Sequence, residues 1–247
     1  MLKKKFILFI CLIALILFTT IGLVSFKSDK VSVNDKILSY IVDTKIQNVE
    51  LYWKDDSGKL FNSILNLKLW LESKHKKLAF AMNGGMYMEN YSPLGLFVQN
   101  QKKISKLNTR SGNGNFYIKP NGVFYITTDN NAKICKTNDF NIINKIKYAI
   151  QSGPMLVIDG KIPSSFKEGA ISLNIRNGVG ILPNNRVIFA MSKEQINFYD
   201  FAKYFKDLGC KNALYLDGYV SRTYLPEKQW LQTDGNFGVI IGVLTQK

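Results

Sequence analysis

Polarity divides the chain into three stretches before any side-chain chemistry is considered. Residues 6–24, FILFICLIALILFTTIGLV, form an uncharged run of 19 residues. As a helix rising 1.5 Å per residue, such a run spans about 29 Å, the hydrocarbon thickness of a bilayer. Lys3, Lys4 and Lys5 precede it, and basic residues on that side stay in the cytoplasm while the remainder crosses. Residues 1–26 therefore read as a signal or membrane anchor, 27–49 as a polar stalk and lead-in to a first strand, and 50–247 as one globular domain. That domain is expected to be extracytoplasmic, anchored in the plasma membrane by residues 6–24 or secreted after cleavage. Cys11 follows Ile10 and not a small residue, which argues against a lipoprotein cleavage site.

Within the domain, short apolar runs bounded by turn residues dominate. Strands are predicted over LAFAMN (78–83), LGLFVQN (94–100), FYIKPNGVFYIT (116–127, with a Pro-Asn-Gly turn), YAIQSGPMLVIDG (148–160) and FGVIIGVL (237–244). LYWKDDSGKLF (51–61) predicts two more around an Asp-Asp-Ser-Gly turn, and a short helix is expected to start near Asn62. The clearest unit is RVIFAMS (186–192), then Phe198, Phe201, Ala202, Phe205 and Leu208 at helical spacing, then NALYLD (212–217). Asn197 is placed to cap that helix and Gly209 to end it. Strand–helix–strand order implies that the two strands are parallel. The predicted fold class is α/β (mixed α+β): a single globular domain with a mixed twisted β-sheet and a few packing helices.

Composition agrees with a folded domain. Hydrophobic residues make up 46% of the 247, enough for a sizeable core. Removing the three N-terminal lysines leaves 30 basic against 18 acidic residues, a net charge of +12 beyond residue 26. That excess suits a phosphorylated substrate or an anionic cell-envelope polymer. Part of it also reflects a general preference for lysine. No arginine-rich or aromatic-interleaved motif points to nucleic acid. Beyond the N-terminal run only Cys135 and Cys210 remain; they form either one disulfide or two free thiols.

The single histidine, His75, lies in the cationic run SKHKK, a poor setting for a catalytic base. No cysteine–histidine cluster has zinc spacing, and no calcium-loop or nucleotide motif is present, so neither a metal nor a cofactor is expected. SGNGN (111–115) reads as a flexible glycine turn. The remaining chemistry lies where polar residues interrupt or end apolar runs: Asn83, Gly84, Gly85 and Glu89; Gln151, Ser152 and Gly153; Arg176 and Asn177; Asp217, Ser221 and Arg222. Buried polar groups need partners. If these strands lie side by side, their ends converge on one crevice. Carboxylates, amides and arginines without a thiol or histidine base suit substitution at a sugar C1 carbon, and arginines recognise phosphate.

The blocks NGGMYMEN…SPLGLFVQN, QSGPMLVIDG, IRNGVGI and LYLDGYVSR, in this order and spread over roughly residues 78–244, resemble the phosphodiester glycosidase domain family. Many members have two glycines after the last aspartate, where this chain has Gly218 and Tyr219. The resemblance implies a hydrolase that cleaves the glycosyl C1–O bond of sugar-1-phosphodiesters in an envelope polymer or glycoconjugate. It implies Asp217 as base, nucleophile or cation stabiliser, Glu89 as its partner carboxylate, and Arg176 and Arg222 as the phosphate clamp. Asn83, Gln151, Ser152, Asn177 and Ser221 would bind the sugar, with Gly84, Gly85 and Gly153 admitting it close to the backbone. The alternative is a non-catalytic carbohydrate- or anionic-polymer-binding envelope protein on the same fold.

Overall fold

A computed structural model describes residues 35–141 and 145–245. The expected anchor at 6–24 and the start of the stalk lie outside the described residues. Among the described residues no helix is long and apolar enough to cross a membrane.

The strands are β1 (Ile37–Val42), β2 (Val49–Tyr52), β3 (Leu78–Asn83), β4 (Phe97–Gln99), β5 (Lys102–Ser105), β6 (Gly122–Thr127), β7 (Ala132–Lys136), β8 (Ile146–Ser152), β9 (Met155–Val157), β10 (Asn177–Ile181), β11 (Val187–Ser192), β12 (Asn212–Asp217), β13 (Thr223–Leu225), β14 (Trp230–Leu231) and β15 (Ile240–Leu244). Among the described residues the α-helices are α1 (Ile64–Ser73) and α2 (Phe198–Asp207). Three five-stranded sheets result, ordered β1-β11-β10-β12-β9, β14-β13-β3-β15-β2 and β5-β4-β8-β6-β7.

The expected mixed sheet is thus replaced by a mostly β domain whose strand pairs are antiparallel throughout the described residues. The strand–helix–strand unit is present, and β11 and β12 do run in the same direction. However, β10 lies between them, antiparallel to both. Glycines let α2 close over that strand. A Cβ on Gly180 would sit 2.7 Å from Phe205 Cδ1 and 2.8 Å from Cys210 Sγ, closer than real side chains approach. Asn197 caps α2 by accepting a hydrogen bond from the Asp200 N–H at 2.8 Å, and Gly209 follows in the left-handed region at φ +79°.

Two other expected strands are reshaped. In 116–127 only β6 is a strand, with Asn115–Tyr117 forming a 3-10 turn. In 51–61 the second strand reduces to a bridge between Lys54 and Leu60. YAIQSGPMLVIDG is continuous in sequence but is split between two sheets. Residues up to Ser152 belong to β8, the cis Gly153–Pro154 bond follows, and β9 joins β12. The lead-in supplies β1, an edge strand on β11.

The sheets meet around an aromatic centre with one ring from each. Phe189 of β11 stacks on Phe80 of β3, with centroids 5.4 Å apart, and meets Phe124 of β6 edge-on at 5.9 Å. Alternation along β12 divides its side chains. Leu214 and Leu216 enter this central core, while Ala213 and Tyr215 pack with α2. α1 covers the second sheet through Ile64, Leu67 and Leu71. Cys135 and Cys210 are both free thiols. Burial pushes them up to about 11 and about 12 respectively.

Candidate active site

Asp217 ends β12 where all three sheets converge. Its position depends on side chains that satisfy backbone groups of neighbouring sheets. Asn177, opposite it on β10, accepts the Asp217 N–H at 2.7 Å through Oδ1. The Asn177 amide donates to the Asn83 carbonyl at 3.0 Å and to Asn83 Oδ1 at 2.9 Å, tying the first sheet to the second. Asn83 Oδ1 also accepts the Arg222 N–H at 2.9 Å. From the third sheet, Ser152 Oγ donates to the Leu216 carbonyl at 2.7 Å. Ser221 Oγ donates to the Asp217 carbonyl at 3.0 Å.

The carboxylate itself makes a tight turn. Oδ1 accepts the N–H groups of Gly218 at 2.6 Å and Tyr219 at 3.1 Å. Oδ2 has no hydrogen-bond partner among the described residues, and Asp217 lines a cavity of about 290 Å³. Asp217 is only 6% exposed. Burial raises it from the usual 3.8 to about 6, against the opposing pull of the Tyr219 and Gly218 N–H groups. Gly218 is required here: a Cβ would lie 1.5 Å from the Tyr215 hydroxyl.

Met86, Tyr87, Leu94, Asn113, Gly114, Asn115, Phe116, Tyr219 and Val220 complete the cavity wall. Tyr87 is held by a 2.6 Å hydrogen bond to the Asn236 carbonyl and by stacking on Tyr91. Burial, with the Asp217 charge second, pushes its hydroxyl up to about 12, so it remains protonated. Tyr219 is 94% exposed at the rim. Asparagine amides, an aromatic wall and one carboxylate of raised pKa can hold a sugar ring and move a proton.

Several residues expected in the site serve the fold instead. Arg176 is 0% exposed. Its guanidinium donates to the carbonyls of Ile196 at 2.7 Å and Ser172 at 2.8 Å and to the Tyr215 hydroxyl at 3.3 Å, and it lies 3.7 Å from the centre of the Phe198 ring. A cation so enclosed cannot clamp a phosphate. It braces Tyr215, on which the Asp217–Gly218 turn rests. Arg222 pairs with Asp234 at 2.8 Å. Glu89 is exposed and does not line the Asp217 cavity, so it does not supply a second carboxylate there. Gln151 is buried with its Oε1 accepting from the Leu96 and Asn108 N–H groups and its Nε2 donating to the Asn108 carbonyl and Thr137 Oγ1.

Ser152, Asn177 and Ser221 likewise bond backbone groups, Asn83 accepts from the Asn177 amide and the Arg222 N–H while its own Nδ2 is buried without a partner among the described residues, and none of the four lines the cavity. Gly84, Gly85 and Gly153 allow close packing: a Cβ on Gly153 would meet Asn121 Cβ at 2.5 Å, and one on Gly85 would meet the Gln151 carbonyl at 3.1 Å. SGNGN, read above as a flexible turn, instead supplies Asn113, Gly114 and Asn115 to the cavity. Its glycines and amides were visible in the sequence; their destination was not. Among the described residues no group of acidic, histidine and cysteine side chains could hold a metal ion.

Residues 76–239 match the phosphodiester glycosidase family. The chain is 37% identical over 211 residues to Uncharacterized protein YigE of Escherichia coli (strain K12), covering 84% of this chain and 82% of that one. In structure it resembles the zebrafish N-acetylglucosamine-1-phosphodiester alpha-N-acetylglucosaminidase catalytic domain auto-inhibited by pro-peptide. The TM-score is 0.55 at 14% identity, covering 85% of this chain and 89% of that chain. A hypothetical protein from Synechocystis matches with a TM-score of 0.52 at 13% identity, over 85% of this chain and 59% of that one. Both likenesses are of fold.

Proposed function

The chain belongs to the phosphodiester glycosidase family, and from that premise we propose that it hydrolyses sugar-1-phosphodiesters with Asp217 as the general base. The observation that carries the proposal is a single carboxylate, raised to about 6, in a cavity lined also by two asparagine amides, aromatic rings and aliphatic side chains. A base of that strength is matched to proton abstraction near neutral pH. Oδ2 takes a proton from water as the water oxygen bonds to C1. The C1–O bond breaks, and its electron pair leaves with the phosphate monoester. A phosphate needs little protonation to depart, so the reaction dispenses with the second carboxylate that ordinary glycosidases use as acid. One base and one displacement invert the anomeric centre. Asn113 and Asn115 bind sugar hydroxyls, and Tyr87 supplies a fixed wall.

The substrate class extends to sugar phosphates of an envelope polymer or glycoconjugate outside the cytoplasm. The net charge of +12 beyond residue 26 supports approach to such polyanions. The test is to offer the full-length protein a panel of sugar-1-phosphodiesters and follow released sugar by NMR. Turnover with initial inversion, abolished in Asp217→Asn and kept in Glu89→Gln, is expected. Binding without turnover in the wild type would favour the non-catalytic carbohydrate-binding reading instead.

A further inference from the structure

Among the described residues no lysine or arginine lines the cavity around Asp217, yet a phosphodiester is an anion and its leaving group gains a second negative charge. Arg176 is enclosed by its own partners and Arg222 pairs with Asp234 at the surface, and neither lines the cavity. A second depression of about 370 Å³ adjoins the first, with Leu94 lining both. Lys106 and Arg110 line this second space. Both are exposed, and neither side chain has an ion-pair or hydrogen-bond partner among the described residues. One loop connects the two spaces: residues 108–110 line the depression, and residues 113–115 line the Asp217 cavity.

The loop is not free to drift. Its Asn108 end is held by the buried Gln151 amide on both faces, with the Asn108 N–H donating at 2.9 Å and its carbonyl accepting at 2.7 Å. Asn108 Oδ1 then receives the Arg110 N–H at 3.1 Å. Gly95 keeps the wall thin, since a Cβ there would lie 2.4 Å from Gln151 Oε1 and 2.8 Å from Phe116 Cζ.

We propose that the sugar occupies the Asp217 cavity while Lys106 and Arg110 bind the phosphate in the adjoining depression. The inference rests on the proposed reaction at Asp217. As C1–O cleavage proceeds, charge accumulates on phosphate oxygens beside these two cations, so they stabilise the transition state more than the bound substrate. The positive strip continues along the edge strand β5 through exposed Lys102 and Lys103, which suits an aglycone that is itself a polyanion.

The experiment uses the full-length protein with Lys106→Ala, Arg110→Ala, the double variant and Arg110→Lys. These side chains are exposed and unpaired, so the variants are expected to fold normally. Each alanine should lower kcat/KM on a sugar-1-phosphodiester by about tenfold, the scale of one charge-assisted hydrogen bond. Arg110→Lys should recover part of the loss. Inorganic phosphate should inhibit the wild type and raise its Tm, and both effects should vanish in the double variant. Wild-type kinetics and phosphate sensitivity in the double variant would overturn the subsite while leaving the role of Asp217 intact. If the wild type turns over no sugar-1-phosphodiester, the proposed reaction falls; loss of the phosphate-dependent Tm shift in the double variant still supports the subsite, and its retention refutes it.

Discussion

Replacing Asp217 with asparagine should abolish activity and stabilise the protein, and the two effects share one cause. The carboxyl is raised from 3.8 to about 6 in the folded state because burial disfavours its charge. Above pH 6 the group is ionised in both folded and unfolded chains, and the folded state bears the full penalty. At 1.36 kcal/mol per pH unit this is roughly 3 kcal/mol. Between about pH 4 and 6 the folded protein holds a proton that the unfolded chain has released. The contribution of this group to stability is therefore greatest in acid and is lost as pH rises through about 6. Asparagine carries no charge and keeps an oxygen to accept the Gly218 and Tyr219 N–H groups. At pH 7.5 the variant should gain up to about 3 kcal/mol, less what the weaker neutral hydrogen bonds forfeit. For a domain of this size that corresponds to a Tm increase of roughly 5–10 °C. Thermal unfolding of both proteins at pH 4.5 and 7.5 reads the effect, and kcat should fall by about 10²–10⁴. A Tm difference that is the same at both pH values, or a variant less stable at pH 7.5, would refute the reasoning.

Other substitutions separate the fold from the chemistry. Arg176→Leu removes a buried cation that donates to the Ile196 and Ser172 carbonyls and the Tyr215 hydroxyl and lies over the Phe198 ring, and should destabilise by about 2–3 kcal/mol in urea titration, with KM of the folded fraction unchanged. A higher KM at unchanged stability would return Arg176 to the substrate. Gly218→Ala should cost about 1–3 kcal/mol through collision with the Tyr215 hydroxyl. Tyr215→Phe should relieve the worst of it, leaving the ring carbon at 2.8 Å, so a double-mutant cycle that is merely additive contradicts the close approach. Tyr219, exposed at the rim, should stack on the sugar: Tyr219→Gly raises KM several-fold, consistent with about 1 kcal/mol for an aromatic contact, and Tyr219→Phe keeps the wild-type value. Equal KM in all three forms would remove Tyr219 from recognition.

The periodicity of the chain carried most of its secondary structure. The α2 pattern at Phe198, Phe201, Ala202 and Phe205 and its cap at Asn197 followed from local rules, because a helix is built from neighbours in sequence. The importance of Asn83, Ser152, Gln151 and Asn177 was also legible, since a polar side chain in an apolar run has to be accounted for. Its meaning was not. Substrate amides and amides that join sheets look identical in a string of letters, and only the acceptors across 94 residues, from Asn177 to Asn83, or 64, from Ser152 to Leu216, tell them apart. Arg176 shows the same ambiguity, as its partners are carbonyls and a ring and carry no sequence signature.

By itself the sequence determined the family, the strand-rich pattern and an aspartate at a strand end followed by glycine. These depend on short-range sterics and on apolar periodicity. The tertiary structure alone decided that three antiparallel sheets replace one mixed sheet, that Glu89 lies away from Asp217, and that SGNGN enters the cavity. Contacts between segments far apart in sequence are set by how sheet faces pack, and packing depends on the combined shape of many side chains, which no local pattern encodes.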